Sequence, residues 1–321
     1  MNNEQLVMND EQLTINKGKK PNSSPLRLFL FSFFFILFSL FIGCSSTPKK
    51  AAEVFTERNM AENQLNLANL SATRGRYQDA LLIVEDARRL ALISDDPSLR
   101  VRTSISRGNF LFSLGRHTEA FQEWEGASAE GDASGEKTFA ALARIYAVRA
   151  KLIILANGNE ASADAAVADT AGADKLRAQL DNEQNTVKSD SFSSAVCYVT
   201  MGLAEKQLRR WAEAENQLKK ALAIHEKGRF LEDAAYDWFI IASIRSVAGN
   251  YNSSLEALQM AISFDRRAEN GFGLASSWQA MGDVYQKAGR TEESRAARRR
   301  AAEIYRAMSH IDLAEKLEAQ L

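Results

Sequence analysis

At 321 residues, with 45% hydrophobic and 25% charged residues, the chain has the composition of a folded protein, long enough for a large core or a stack of units. Its 40 Lys and Arg nearly balance 41 Asp and Glu, so there is no basic footprint of the kind nucleic-acid binding leaves. Four Pro, set against abundant Ala, Leu, Glu, Arg and Gln, argue for helix and against strand.

The first feature in chain order is an address. Residues 28–43 (LFLFSFFFILFSLFIG) are uncharged and almost wholly apolar, and Lys17, Lys19, Lys20 and Arg27 precede them. A positive segment, a short apolar run and then small residues is the layout of a secretory signal peptide. The run is short for a membrane span, which needs about 20 apolar residues. Leu40-Phe41-Ile42-Gly43-Cys44 resembles the lipobox of bacterial lipoproteins, although Phe41 stands where Leu is usual. That resemblance implies lipid on the Cys44 thiol, cleavage after residue 43 and acylation of the new amino terminus. It places the protein at the cell membrane or outer membrane, facing the periplasm. Multiple acyl chains would hold it firmly, since burial contributes about 0.8 kcal/mol per CH₂. Residues 44–54 would be a tether. The lead-in holds a near-duplication, MNNEQLV and MNDEQLT, which points to a start downstream of Met1. With Cys44 lipidated, Cys197 has no partner for an internal disulfide and reads as a small buried apolar group.

From residue 55 onward a 40-residue period organises the chain. Tyr198, Trp238 and Trp278 keep it, as do Gly202/Ala242/Gly282, Ala214/Ser254/Ser294 and Ala221/Ala261/Ala301. The same frame recurs earlier in Ala68/Gly108, Gly75/Gly115, Ala80/Ala120 and Ala87/Ala127. The reading is a pair of antiparallel helices per unit. Small residues on the second helix let it approach Gly202 or Gly282 on the first. Val84, Trp124, Leu218 and Leu258 fill the space between units, and Gly75, Gly115, Gly249 and Gly289 cap the first helices. One unit cannot bury its own apolar face, so the units must stack.

These residues resemble the tetratricopeptide repeat. Trp278-x3-Gly282-x2-Tyr285 followed by Gly289 is one match, and Gly115-Arg116-x3-Ala120-x3-Trp124-x2-Ala127 is another. The resemblance implies an all-α, right-handed superhelical solenoid of about six antiparallel helix pairs. Residues 55–135 hold repeats 1–2. Residues 136–190 hold a degenerate repeat 3, its second helix ending near Leu180 and followed by a loop at 181–191. Residues 191–321 hold repeats 4–6 and a capping helix.

Nothing in the sequence reads as catalysis. It has no phosphate-binding Gly loop, CxxC pair, HExxH or nucleophile elbow, so no enzyme, cofactor or metal site is expected. His117, His225 and His310 lie far apart, and His117 occupies a packing position filled elsewhere by Tyr77, Trp211 and Tyr251. The basic run Arg295, Arg298, Arg299, Arg300 reads as a solvated helix face. The tetratricopeptide resemblance implies binding on the inner face of the first helices. Carried onto this chain, that face is Leu65, Asn66, Asn69, Ile105, Asn109, Phe112, Val199, Leu203, Tyr236 and Phe239. Leu65 stands where a carboxylate clamp would need Lys or Arg, so no clamp is expected. The mixture suits a peptide or helix in a groove. The expected function is a lipid-anchored scaffold or adaptor for an envelope protein or peptide, with a small-molecule-binding accessory of a transport system as the alternative. A closed cavity would favour the accessory, and an open groove the scaffold.

Overall fold

The computed structural model describes residues 55–158 and 163–321, with side chains left out of account at 157, 158 and 163–169. The signal segment, Cys44 and the tether lie outside the described residues. Thirteen helices follow one another in the described chain. They are α1 (Thr56–Thr73), α2 (Tyr77–Ile93), α3 (Pro97–Ser113), α4 (His117–Ser134), α5 (Lys137–Gly158), α6 (Ala163–Val187) and α7 (Ser191–Gln207). Then come α8 (Trp211–Gly228), α9 (Leu231–Val247), α10 (Tyr251–Ala268), α11 (Gly271–Lys287), α12 (Thr291–Ala307) and α13 (Ile311–Glu318). Consecutive helices pack on each other, giving six antiparallel pairs and a terminal helix in an all-α superhelix.

The turns explain the regularity. Within pairs, the amide three residues past the helix end bonds back to a carbonyl five residues earlier: Arg76 to Ser71, Arg116 to Leu111, Asn250 to Arg245 and Arg290 to Tyr285, all at 2.8–3.0 Å. That bond needs a left-handed residue in between, and Gly115 supplies it at φ 76°. In the fourth pair Arg209 takes the same conformation at φ 56°.

Close approach between the helices of a pair follows from the small residues. A Cβ added to Gly202 would lie 2.9 Å from Leu218 Cγ and 3.2 Å from the Ala214 carbonyl. Ser254 and Ser294 are buried at Ala80's place in the frame, and each hydroxyl donates across the pair, to the Ala242 and Gly282 carbonyls at 2.7 and 2.8 Å. Val84, Trp124, Leu218 and Leu258 are all buried, but Trp124 and Leu218 lie against Gly108 and Gly202 of the other helix in their own pairs, so the space they fill is at least partly within the pair. Arg298 takes the corresponding place in the last pair, where its guanidinium reaches Asp283 at 3.0 Å and Gln286 at 3.1 Å.

The third pair departs from the rest in length, with α5 of 22 residues and α6 of 25. Helix α6 runs on to Val187, so most of the loop expected at 181–191 is helical and the turn is confined to 188–190. The polar stretch stays helical because Leu180 and Val187, two turns apart, are both buried, and Glu183 between them holds Arg144 at 2.7 and 3.0 Å. Cys197 is buried beside Leu180, and burial pushes its thiol up to about 12, so it is a packing group. Three members of the basic run are paired, Arg295 with Glu292, Arg298 with Asp283 and Arg300 with Glu303. Among the described residues no helix is long and apolar enough to cross a membrane, and no cluster of side chains could hold a metal ion.

Candidate ligand-binding lumen

The superhelix turns far enough for its first pair to meet its last. The loop after α1 lies against α9, α11 and the turn before α13. His310 Nε2 is 3.2 Å from the Arg74 carbonyl, across 236 residues of chain. Tyr77 and Phe272 meet edge to face with ring centroids 6.5 Å apart, and Glu232 hydrogen-bonds Thr73. Gly75 serves this closure as well as its helix cap. At φ 73° it sits so close that a Cβ would lie 2.6 Å from Phe272 and 3.0 Å from His310. His310, Phe272 and Tyr305 form a ring cluster behind it.

Two cavities lie on the inner side of this closure. The larger, about 660 Å³, is walled by Tyr77, Phe112, Trp124, Tyr146, Ile153 and Phe272. Trp124 Nε1 donates to Asn109 Oδ1 at 3.2 Å, fixing the amide at the wall, and His117 stacks on Phe112 at 4.8 Å. Arg149 also faces this cavity. Its guanidinium lies 4.8 Å over the Tyr236 ring, a contact favoured by the ring's negative face, and it forms no salt bridge among the described residues. Burial pushes the Tyr146 hydroxyl up, so it enters the lumen as a neutral hydrogen-bonding group.

The second cavity, about 310 Å³, lies between α1–α2 and α9–α11. Tyr77, Tyr236, Phe239 and Phe272 wall it, and Glu232 and Asp265 supply its carboxylates. Burial raises both; Asp265, 2% exposed, is pushed up to about 7, with hydrogen bonds from Asn270 and Ser277 opposing the shift. A third carboxyl, Asp237, is fully buried behind the wall and pairs with His225 at 2.7 Å, facing neither cavity.

The structure sorts the inner-face residues expected from the sequence into three groups. Asn109, Phe112, Tyr236 and Phe239 line the cavities. Leu65, Ile105 and Val199 do not: they are 2–4% exposed and packed in the core, which corrects their assignment to the groove. Each belongs to a buried cluster that includes residues of its own pair: Leu65 with Val84, Ile105 with Trp124 and Val199 with Leu218. Leu203 is half-buried against two core clusters, and Asn66 and Asn69 are exposed away from both cavities. The frame missed Tyr77, Tyr146, Arg149, Glu232, Asp265 and Phe272. For Tyr146 and Arg149 a signal was present, since they interrupt the apolar run of α5 alongside Arg144 and Lys151.

The tetratricopeptide repeat family matches twice, at residues 194–228 and 275–308, which are the α7–α8 and α11–α12 pairs. The chain carries tetratricopeptide repeats. Its solenoid is similar to the solved Rap protein complexed with competence and sporulation factor, at TM-score 0.55 and 13% identity, over 83% of this chain and 75% of that one. It is also similar to a signal-transduction ATPase with numerous domains and a tetratricopeptide repeat sensor from Pyrococcus horikoshii. There the TM-score is 0.53 and the identity 15%, and the tetratricopeptide solenoid covers only 43% of that larger chain, using 84% of its own. At such identities the likeness is one of fold. No curated protein matches the sequence.

Proposed function

We propose that this tetratricopeptide-repeat protein is a lipid-anchored adaptor of the cell envelope, tethered through Cys44, that holds a segment of a protein partner in its lumen. The fold is one that serves protein interaction. The aromatic lumen carries the reading: large rings from five pairs converge there with Arg149, exposing apolar surface that an occupant would cover. Similarity to Rap, solved in complex with a factor, supports a solenoid of this curvature as a binding body. The Cys44 lipobox and the apolar run before it support the anchor. Contact between the first and last pairs narrows the lumen, which favours a short segment over a long groove-spanning chain. The same contact favours a second reading, a small-molecule-binding accessory of a transport system.

Cell fractionation combined with partner co-purification tests the proposal. Cys44→Ser is expected to move the protein into the soluble envelope fraction. Phe239→Ala is expected to stay at the membrane with unchanged helicity and to lose most of its partner. Membrane retention of Cys44→Ser would overturn the anchor, and undiminished partner recovery by Phe239→Ala would overturn the lumen.

A further inference from the structure

The smaller cavity has an unusual electrostatic composition. Glu232 projects from the acidic first turn of α9 and Asp265 from the last turn of α10, so two carboxylates from different helices meet in one space. Neither makes a salt bridge among the described residues. Asp265 accepts from Asn270 Nδ2 at 2.8 Å and from Ser277, both neutral, and it feels the like charge of Glu232. Glu232 is crowded by Asp233 and bonded by Thr73, and Arg74 offsets its charge less than either. Desolvated carboxylates without a counter-charge are costly, by several kcal/mol when fully buried. Elsewhere this chain pairs its partly buried acids with arginine, as in Glu183 with Arg144 and Glu205 with Arg177.

The glycine in the next helix shows that the Asp265 seat is built. A Cβ at Gly273 would collide with both Asp265 Oδ1 and Asn270 Nδ2, so this position keeps the carboxylate and its donor in place. The remaining walls are aromatic. Tyr236 already gives its ring to Arg149, which leaves Phe239, Phe272 and Tyr77 to face an occupant. A bare metal ion does not suit this space: two carboxylates in about 310 Å³ with ring walls fall short of the six to eight oxygens, approximately, that a hard cation gathers. A cation carried on an apolar stem suits every surface present. Its charge relieves the two acids, and its stem covers the rings.

We infer that the cavity between the first and fifth to sixth pairs binds an organic cation, an amine or guanidinium on a short apolar stem, with its head between Glu232 and Asp265. The inference rests on the lumen being the binding surface, and it narrows what the lumen takes. The head can come from a basic residue of a partner segment or from a free amine. Either source presents the same chemistry to the two carboxylates.

Calorimetric titration of the purified protein with three isosteric probes tests this: phenylbutylamine, phenylbutanol and phenylbutyrate. The amine is expected to bind at least about tenfold more tightly than the alcohol, with the acid weakest, as one charge-assisted contact predicts. Asp265→Asn and Glu232→Gln should each remove most of that preference while leaving alcohol binding and the circular dichroism unchanged. Gly273→Ala should weaken amine binding by displacing Asp265. Amine affinity should rise as pH climbs through about 7, where Asp265 loses its proton. Should Asp265→Asn fail to fold, the half-buried Glu232→Gln carries the test alone. A tetrapeptide with one central lysine and blocked ends separates the sources. Tighter binding than phenylbutylamine assigns the site to a partner segment, and weaker binding to a free amine. Equal affinity for all three probes, or amine binding indifferent to both carboxylate variants, overturns the inference. If the alcohol or the acid binds as well as the amine and competes with the co-purified partner, the lumen stands and only its preference for a cation falls.

Discussion

Asp265 is held by neutral donors and sits among aromatic rings, and its environment sets a pH dependence of stability. Burial raises its folded pKa from the ordinary 3.8 to about 7. A carboxyl raised in this way contributes fully below its unfolded pKa, and the contribution is lost as pH rises through the folded value. Asp237, raised by burial to about 6 despite its bond to His225, acts in the same direction. The protein is therefore expected to unfold at lower urea concentration at pH 8 than at pH 5.5. Asp265→Asn should flatten part of that fall, and an unchanged fall would mean that Asp265 does not titrate in this window. The sequence does not announce this residue. A lone acid in the last turn of an amphipathic helix reads as solvated, and the packing of α11, with Gly273 and Ser277 against it, encloses it. Residues whose role is local were legible: Gly115 caps α3, and Cys197 is a packed thiol.

Between elements, the 40-residue frame carries most of the information, because contact between paired helices recurs wherever small residues recur. Gly108 and Gly126 show how specific that contact is. A Cβ at Gly108 would lie 2.5 Å from Trp124 Nε1, whereas one at Gly126, on the exposed side of α4, meets nothing within 4 Å. Gly108→Ala should cost about 1–3 kcal/mol by overpacking the α3–α4 contact. Gly126→Ala should stabilise by about 1 kcal/mol through helix propensity. Urea unfolding of the two variants checks both signs, and equal effects would contradict the packing described. The frame fails in the third pair. There Val187 draws a polar segment into helix, an effect of tertiary anchoring that local composition does not show. It also fails by about one helix face at Leu65, Ile105 and Val199. Periodicity marks an apolar stripe without saying whether the stripe meets a packed helix or the lumen.

For the whole molecule, the governing feature is that the first pair reaches α9, α11 and the turn before α13. No repeat period encodes it. It depends on the rotation between successive pairs summed over the stack, including a third pair with longer helices. Its consequence is functional: Tyr77 and Phe272 meet, the inner surface becomes two cavities, and Thr73 covers Glu232. A curved but open solenoid would take Thr73 from Glu232 and leave the rings facing bulk water. The decisive measurement is crosslinking between the two ends. In a protein carrying Cys44→Ser, with Cys197 buried, Arg74→Cys and His310→Cys are introduced together and treated with a short bismaleimide. The account predicts rapid intramolecular linkage in the folded monomer, seen by mass spectrometry as one peptide pair joining the turn after α1 to the turn before α13. Full labelling of both cysteines without that link would contradict the closed lumen.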